Sequence, residues 1–124
     1  MNNPILVSTI AYDGYDLETT LDALASAGVE NVELAYSEAY TAPVTEDNFS
    51  KAAADRVRDS LKASGLSCPC LAAHTDMSLT TSVDKFKRRI DFARNLGADY
   101  IVSTAGPIAK RNQFLKNIKL LGDY

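Results

Sequence analysis

The chain has 124 residues, 46% of them hydrophobic and 23% charged, with a formal net charge of −3, values typical of one globular domain long enough to bury a core. A pI near 5.0 without a basic excess speaks against a nucleic-acid groove, and no apolar run approaches the ~20 residues of a membrane span. Residues 1–10 lack the basic start and small-residue cleavage site of a signal peptide, so the expected compartment is the cytoplasm, with neither nucleic acid nor membrane as partner.

Ile5–Ile10 is a β-rich run bounded by Pro4 and by the turn-forming Tyr12–Tyr15. Asp16 stands where an N-cap belongs. Leu17, Leu21, Leu24 and Ala25 follow at helical spacing, and Gly28 ends that helix. Val29–Tyr36 returns as a second strand with Val32 and Leu34 on one face and Glu33 and Ala35 on the other. A carboxylate in an apolar strand is costly to bury unless paired, so Glu33 either braces neighbouring strands or faces a site. Residues 37–47 are polar, carry Pro43 and form the longest connection, of the kind that lines or covers a site. Asp47 or Asn48 is the expected cap of a second helix whose inward stripe is Phe49, Ala53, Val57 and Leu61, with Lys51, Asp55, Arg58, Asp59 and Lys62 outward. Gly65 stops it.

The third strand begins at Leu66 and releases the only histidine, His74, beside Thr75 and Asp76. Alternation places Cys68, Cys70, Ala72 and His74 on one face and Leu71 and Ala73 on the other. A small-residue face ending in an imidazole suits a strand that opens into a pocket; the alternative is a buried histidine satisfied by backbone. Two cysteines one residue apart on a strand sit at the limit of disulfide reach. With a single histidine they do not supply the four ligands of structural zinc, so both read as small hydrophobes. Thr81–Asp84 has the form of a capping box with Asp84 in place of Glu or Gln. The third helix is expected to bury Val83, Phe86, Ile90 and Ala93, to expose Lys85, Lys87 and Arg88, and to close at Gly97. Asp99–Thr104 is a fourth strand leading into Ala105, Gly106 and Pro107. Phe114, Leu115, Ile118 and Leu121 mark the inward stripe of a fourth helix, with Lys110, Arg111, Lys116 and Lys119 solvated and Gly122 as its C-cap.

The joints at Gly28, Gly65 and Gly97 are one joint repeated: a helix ends on glycine and a strand starts almost at once. Strict β-then-α alternation means parallel strands with right-handed crossovers, either in a doubly wound sheet or in part of a (β/α)8 barrel. Three features favour the barrel. The units are uniform and near the length expected of one-eighth of a barrel. No glycine-rich phosphate loop follows the first strand. Polar or small residues occupy one parity of the strands (Ser8, Glu33, Cys70 and His74, Ser103), which suits a narrow lumen.

On Asn31–Leu34, Ala73–Asp76, Ser103–Pro107 and Phe114–Ile118, the chain resembles the N-terminal half of the xylose-isomerase-like TIM-barrel superfamily, the sugar phosphate isomerases and epimerases together with endonuclease IV-type enzymes. The resemblance covers nearly the whole chain with short motifs. It implies a single domain over 1–124 that supplies about four βα units (β1α1β2α2β3α3β4α4) of a (β/α)8 barrel, with substrate bound at the C-terminal strand ends by His74, Glu33, Tyr36, Asp76, Thr104 and Gly106. The family's divalent metal (Mn, Mg, Co or Zn) is held chiefly by Glu, Asp, His and Glu from strands five to eight. It is therefore expected only in a complete barrel, with no ligand from this segment and no catalytic residue assigned within it. The implied activity is metal-assisted proton transfer on a ketose, sugar phosphate or related polyol, in which His74 orients a substrate oxygen. The segment alone is expected to be inactive. The alternative is a non-catalytic half-barrel that assembles with itself or another chain; the multi-zinc hydrolase branch fits less well, because one histidine contributes little to such a site. With strands one and four left as edges, the chain is expected to be a homo-oligomer or part of a longer chain.

Overall fold

The computed structural model describes residues 4–37 and 45–124. Elements alternate in chain order: β1 (Val7–Ser8), a 3-10 turn (Thr9–Tyr12), α1 (Leu17–Ser26), β2 (Asn31–Ala35), a 3-10 turn (Glu46–Phe49), α2 (Lys51–Ala63), β3 (Ser67–Asp76), α3 (Ser82–Leu96), β4 (Tyr100–Thr104), a 3-10 turn (Ile108–Lys110) and α4 (Arg111–Gly122). Asp16 caps α1 by accepting from the Thr19 N–H at 2.7 Å, satisfying one of the amides that a helix start leaves unpaired. At the other end of the helices the expected glycines do their work: Gly28, Gly65 and Gly97 adopt φ of +80°, +70° and +86°, the left-handed region that lets a helix stop and the next strand begin.

The four strands form one parallel sheet in the order β1-β2-β3-β4. That order decides between the two architectures. A doubly wound sheet reverses its strand order to place helices on both faces, whereas sequential order with uniform right-handed crossovers keeps every helix on one face, as in a barrel wall. Packing agrees. Leu21 and Leu24 of α1, Ala53, Ala54, Val57 and Leu61 of α2, and Phe92, Ala93 and Leu96 of α3 share one core with Val32, Leu34, Leu71 and Ala73. The opposite sheet face, carrying Glu33, Ala35, Ala72, His74 and Thr104, has no helix over it among the described residues and lines a cavity instead. The chain is thus an α/β half-barrel of four βα units.

Several local expectations are corrected. Strand one is shortened to Val7–Ser8, because Thr9–Tyr12 coils into a 3-10 turn and Thr9 Oγ1 turns to accept from the Ala35 N–H at 2.9 Å. Helix α2 is capped by Ser50, whose hydroxyl accepts from the Ala53 N–H, and not by Asp47 or Asn48. Asn48 serves the preceding turn, accepting from the Thr45 N–H. Most of the long connection, residues 38–44, lies outside the described residues. No capping box forms at Thr81, whose side chain makes no cap hydrogen bond; Ser82 instead donates to the Asp76 carbonyl. Gly122 is the last residue of α4 in ordinary helical conformation, without the positive φ of a glycine cap.

The inward stripes of α3 and α4 are rotated from their expected positions. Helix α3 buries Ser82, Arg89, Phe92, Ala93 and Leu96, leaving Val83, Phe86 and Ile90 half-buried. Arg89 is 1% exposed and lies 4.2 Å over the Phe49 ring, 3.2 Å from Glu46, with Nη1 donating to the Lys85 carbonyl. Helix α4 buries Asn117 and Leu121 while Leu115 and Ile118 are exposed. Asn117 donates to the carbonyls of Met77 (2.9 Å) and Leu79 (2.7 Å), tying α4 to the segment after β3. A hydrogen-bonded polar side chain can thus hold the innermost position of a helix, and a stripe traced through apolar residues alone then falls to one side.

Candidate functional site

A cavity of about 380 Å³ opens on the helix-free face of the sheet, lined by Ser8, Ile10, Glu33, Ala35, Ser37, Ala72, His74 and Thr104. Each strand contributes at its C-terminal half, the end at which (β/α)8 barrels place their sites. The three joint glycines are absent from its lining; Gly65 and Gly97 border a separate depression at the N-terminal rim. The registers Ser8↔Glu33 and Glu33↔Cys70 bring Glu33 level with strand one and with the start of the small-residue face of β3.

That face is built differently from simple alternation. Asn31 pairs with Ser67 but Glu33 pairs with Cys70, so three residues of β3 span two of β2. The bulge falls at Cys68–Pro69, where proline has no N–H to give the ladder. It turns Cys68 into the helix-side core, while Cys70 donates its thiol to Glu33 Oε2 at 3.7 Å on the cavity side. The two cysteines therefore lie on opposite faces and are both free thiols. Burial, then the neighbouring Glu33 carboxylate, pushes the Cys70 thiol up to about 11; burial also pushes Cys68 up. Neither is an activated nucleophile.

Of the six residues expected at the site, Glu33, His74 and Thr104 line the cavity together. Tyr36, Asp76 and Gly106 do not. Tyr36 lies on the helix side, 5.9 Å from Phe49 and 5.7 Å from Phe92 ring to ring, where burial raises its hydroxyl pKa. Asp76 accepts from the Ser78 N–H at 2.9 Å and from Ser78 Oγ, and those bonds hold its carboxyl below the usual range. Gly106, at φ +87°, sits directly on that pair: a Cβ there would collide with Asp76 Oδ1 and Ser78 Oγ. Asp76 and Gly106 thus form a brace at the β3 and β4 ends. Ser103, expected on the lumen parity, turns the other way and bridges the Thr75 N–H and the Ala73 and Thr75 carbonyls.

Ser37 and Ile10 are cavity residues that the sequence reading missed. Ser37 is buried and donates to the Ala72 carbonyl at 3.2 Å. It opens the long connection two residues after β2 ends, and position alone could have flagged it as a strand-end hydroxyl. The cavity thus offers one carboxylate, one imidazole and three hydroxyls above an apolar floor of Ala35 and Ala72. Such a set can accept from and donate to several hydroxyls of one small ligand. Among the described residues no three His, Cys, Asp or Glu side chains converge as a metal-binding group. Among the described residues, Glu33 and His74 are the two such side chains in the cavity lining, and two donors by themselves do not fit a divalent-metal site.

No helix of the described residues is long and apolar enough to cross a membrane. The sequence matches no family model. It also matches no curated protein. Among solved structures the fold is similar to a xylose isomerase domain protein from Planctomyces limnophilus, with a TM-score of 0.68 and 14% sequence identity, covering 98% of this chain and 50% of that one. At that identity the likeness establishes the fold: the four βα units correspond to half of a xylose-isomerase-like barrel. The chain spans half the length of the structure it matches.

Proposed function

We propose that this chain forms the substrate-facing half of a sugar or sugar phosphate isomerase/epimerase barrel, acting on a ketose or related polyol. The observation that carries the reading is the joint presence of Glu33, His74, Ser8, Ser37 and Thr104 around one cavity at the strand ends. The likeness to a protein titled a xylose isomerase domain protein supports it. In this role Glu33 accepts from a substrate hydroxyl while Cys70, a neutral thiol at ordinary pH, holds the carboxylate from behind. His74 and Thr104 orient a second oxygen from β3 and β4, and Ala35 and Ala72 leave room for a carbon chain.

Proton movement between adjacent carbons, with a divalent metal polarising the carbonyl, belongs to a completed barrel. Among the described residues no metal-binding group converges. The single domain over 1–124 and the cytoplasmic setting are parts of the same proposal. The second reading, a non-catalytic half-barrel module, is favoured by the helix-free sheet face and separates from the first by ligand binding. Calorimetric titration with ketoses and ketose phosphates should give saturable binding that His74→Ala weakens at least tenfold with the circular dichroism spectrum unchanged. Equal binding by the variant, or none by the native chain, would contradict the enzymatic reading.

A further inference from the structure

We propose that the hollow between the segment after β3 and the start of α4 binds a phosphoryl group, with Lys110 and Lys116 as its counter-charges. It stands on the chemistry of that hollow and not on the sugar reading. The hollow measures about 500 Å³, with Ser78 and Thr80 on one wall and Lys110, Asn112, Gln113 and Lys116 on the other. Asn117 fixes the two walls to each other. It is 1% exposed; its Nδ2 donates to the Met77 and Leu79 carbonyls on the first side, and its Oδ1 accepts from Gln113 Nε2 on the second at 2.9 Å. Ser78 is held as firmly, its N–H and hydroxyl both donating to Asp76 where Gly106 packs against the pair. A ligand entering this hollow has only exposed side chains to order, which keeps the cost of binding low.

Charge selects the ligand. Two ammonium groups and no carboxylate line the hollow, in a chain whose net charge is −3. Among the described residues neither lysine joins an ion pair, whereas Lys51 holds Asp55 at 2.7 Å. The Asp76 carboxyl, held low by its Ser78 bonds first and by Lys110 to a lesser degree, lies outside the lining and offsets only part of that charge. Lysine ammoniums meet phosphate oxygens as point charges. Asn112, the second Nε2 hydrogen of Gln113 and the Thr80 hydroxyl are neutral donors for the remaining oxygens. Because the Ser78 hydroxyl proton goes to Asp76, Ser78 is wall and not donor. A phosphomonoester dianion matches this set, and a single carboxylate would leave one ammonium without a counter-charge. The hollow also neighbours the polyol cavity. Thr104 of that cavity pairs with Asp76 in the β3–β4 register, and Asp76 is bonded to Ser78 of this one. The phosphoryl group can therefore come from either of two sources, the end of a sugar phosphate seated in the cavity or a separate phosphorylated ligand.

Titration of the whole chain with inorganic phosphate, followed in a ¹⁵N-correlated NMR spectrum at constant ionic strength, tests the site. Saturable shifts are expected at the amides of Ser78, Thr80 and Gln113. Lys110→Gln and Lys116→Gln are each expected to weaken the curve at least fivefold, and Lys119→Gln, on the same helix but outside the hollow, by less than about twofold. No saturation, or equal weakening by Lys119→Gln, means a diffuse ion atmosphere only and overturns the proposal. A second titration with a ketose phosphate identifies the source. If the phosphate belongs to the sugar, the Gln113 and His74 signals move along one curve and Lys110→Gln weakens both. If it belongs to a separate ligand, saturating inorganic phosphate leaves the His74 response unchanged. Both results uphold the phosphoryl site. A His74 signal that never moves, with the phosphate curve intact, counts against the sugar reading alone.

Discussion

The Cys70 thiol donates to the Glu33 carboxylate across the β2–β3 pair, 3.7 Å from sulfur to oxygen. The bond explains how a carboxylate is tolerated in the middle of a parallel strand, and it keeps one lone-pair set directed by the protein while the carboxylate borders the cavity. It also makes the thiol unreactive. With its pKa pushed from 9.0 to about 11, Cys70 in the native state holds roughly a hundredfold less thiolate than in the unfolded chain. Iodoacetamide at pH 8 is expected to label it at least tenfold more slowly in native protein than in urea. A folded acid whose pKa is raised contributes stability below its unfolded value and loses it as pH rises through its folded one. Native stability should therefore fall between pH 9 and 11, and fall less in Cys70→Ala. Fast labelling in the native state would remove this account of Glu33.

Gly106 and Gly28 share a positive φ but differ in what surrounds them. A Cβ at Gly28 meets nothing within 4 Å, whereas one at Gly106 collides with Asp76 and Ser78. Gly28→Ala is expected to cost about 1 kcal/mol, the strain of the left-handed region alone. Gly106→Ala should cost about 3 kcal/mol, because the brace at the β3 and β4 ends must also move. Urea unfolding of both variants checks this, and equal costs would mean that the Asp76–Ser78 pair yields freely.

Arg89 is the most consequential buried polar residue. Its guanidinium is enclosed by the Phe49 ring, Glu46 and the Lys85 carbonyl, and Arg89→Ala is expected to cost about 3 kcal/mol, chiefly through lost packing in the core, with Glu46 keeping Arg88 as its partner. For Glu46, partial burial acts to raise the pKa, but the Arg88 and Arg89 guanidiniums outweigh it and hold the carboxyl below its ordinary 4.5. Its contribution is therefore present above pH 4.5 and is lost as pH falls through the lower folded value. Glu46→Gln should lower stability at pH 7, and the penalty should shrink steadily as pH falls below 4.5. A penalty that does not change with pH below 4.5 would point to packing and not charge.

Much of the fold was legible because the signals were local. Asp16 before an apolar stripe, and glycines just past three helices, act through backbone geometry within a few residues, and tertiary packing does not override them. What misled were long-range effects. Pro69 was visible, but the bulge it imposes depends on the register with β2, so Cys68 was placed on the wrong face. The stripes of α3 and α4 were traced through apolar residues, whereas Arg89 and Asn117 take the innermost positions by finding partners on other elements. Within the candidate site, alternation identified Glu33 and His74 because those strand segments are regular. Tyr36, just beyond the end of β2, was expected at the cavity but joins Phe49 and Phe92, contacts made from other elements.

Asn117 provides a separate check on the position of α4. Its side chain is the link between that helix and the carbonyls of Met77 and Leu79. Asn117→Leu leaves the buried Met77 carbonyl and the partly buried Leu79 carbonyl without this donor and is expected to cost about 2 kcal/mol. Amide exchange should then accelerate in α4 before it does in α2. Uniform acceleration across all helices would show α4 to be held chiefly by other contacts.

The central claim, that the strand-end cavity is a polyol site, is tested most directly at its one imidazole. His74 is the only histidine in the chain, so its ring nitrogen and carbon-bound proton signals in a ¹⁵N-correlated NMR spectrum need no assignment. Titrating in a ketose phosphate should move those signals along a saturable curve, together with the amides of Ala35 and Thr104, and Glu33→Gln should weaken the curve at least tenfold. Signals of His74 that stay fixed while ligand is added to saturation of any other resonance, or through the whole titration, would contradict the claim.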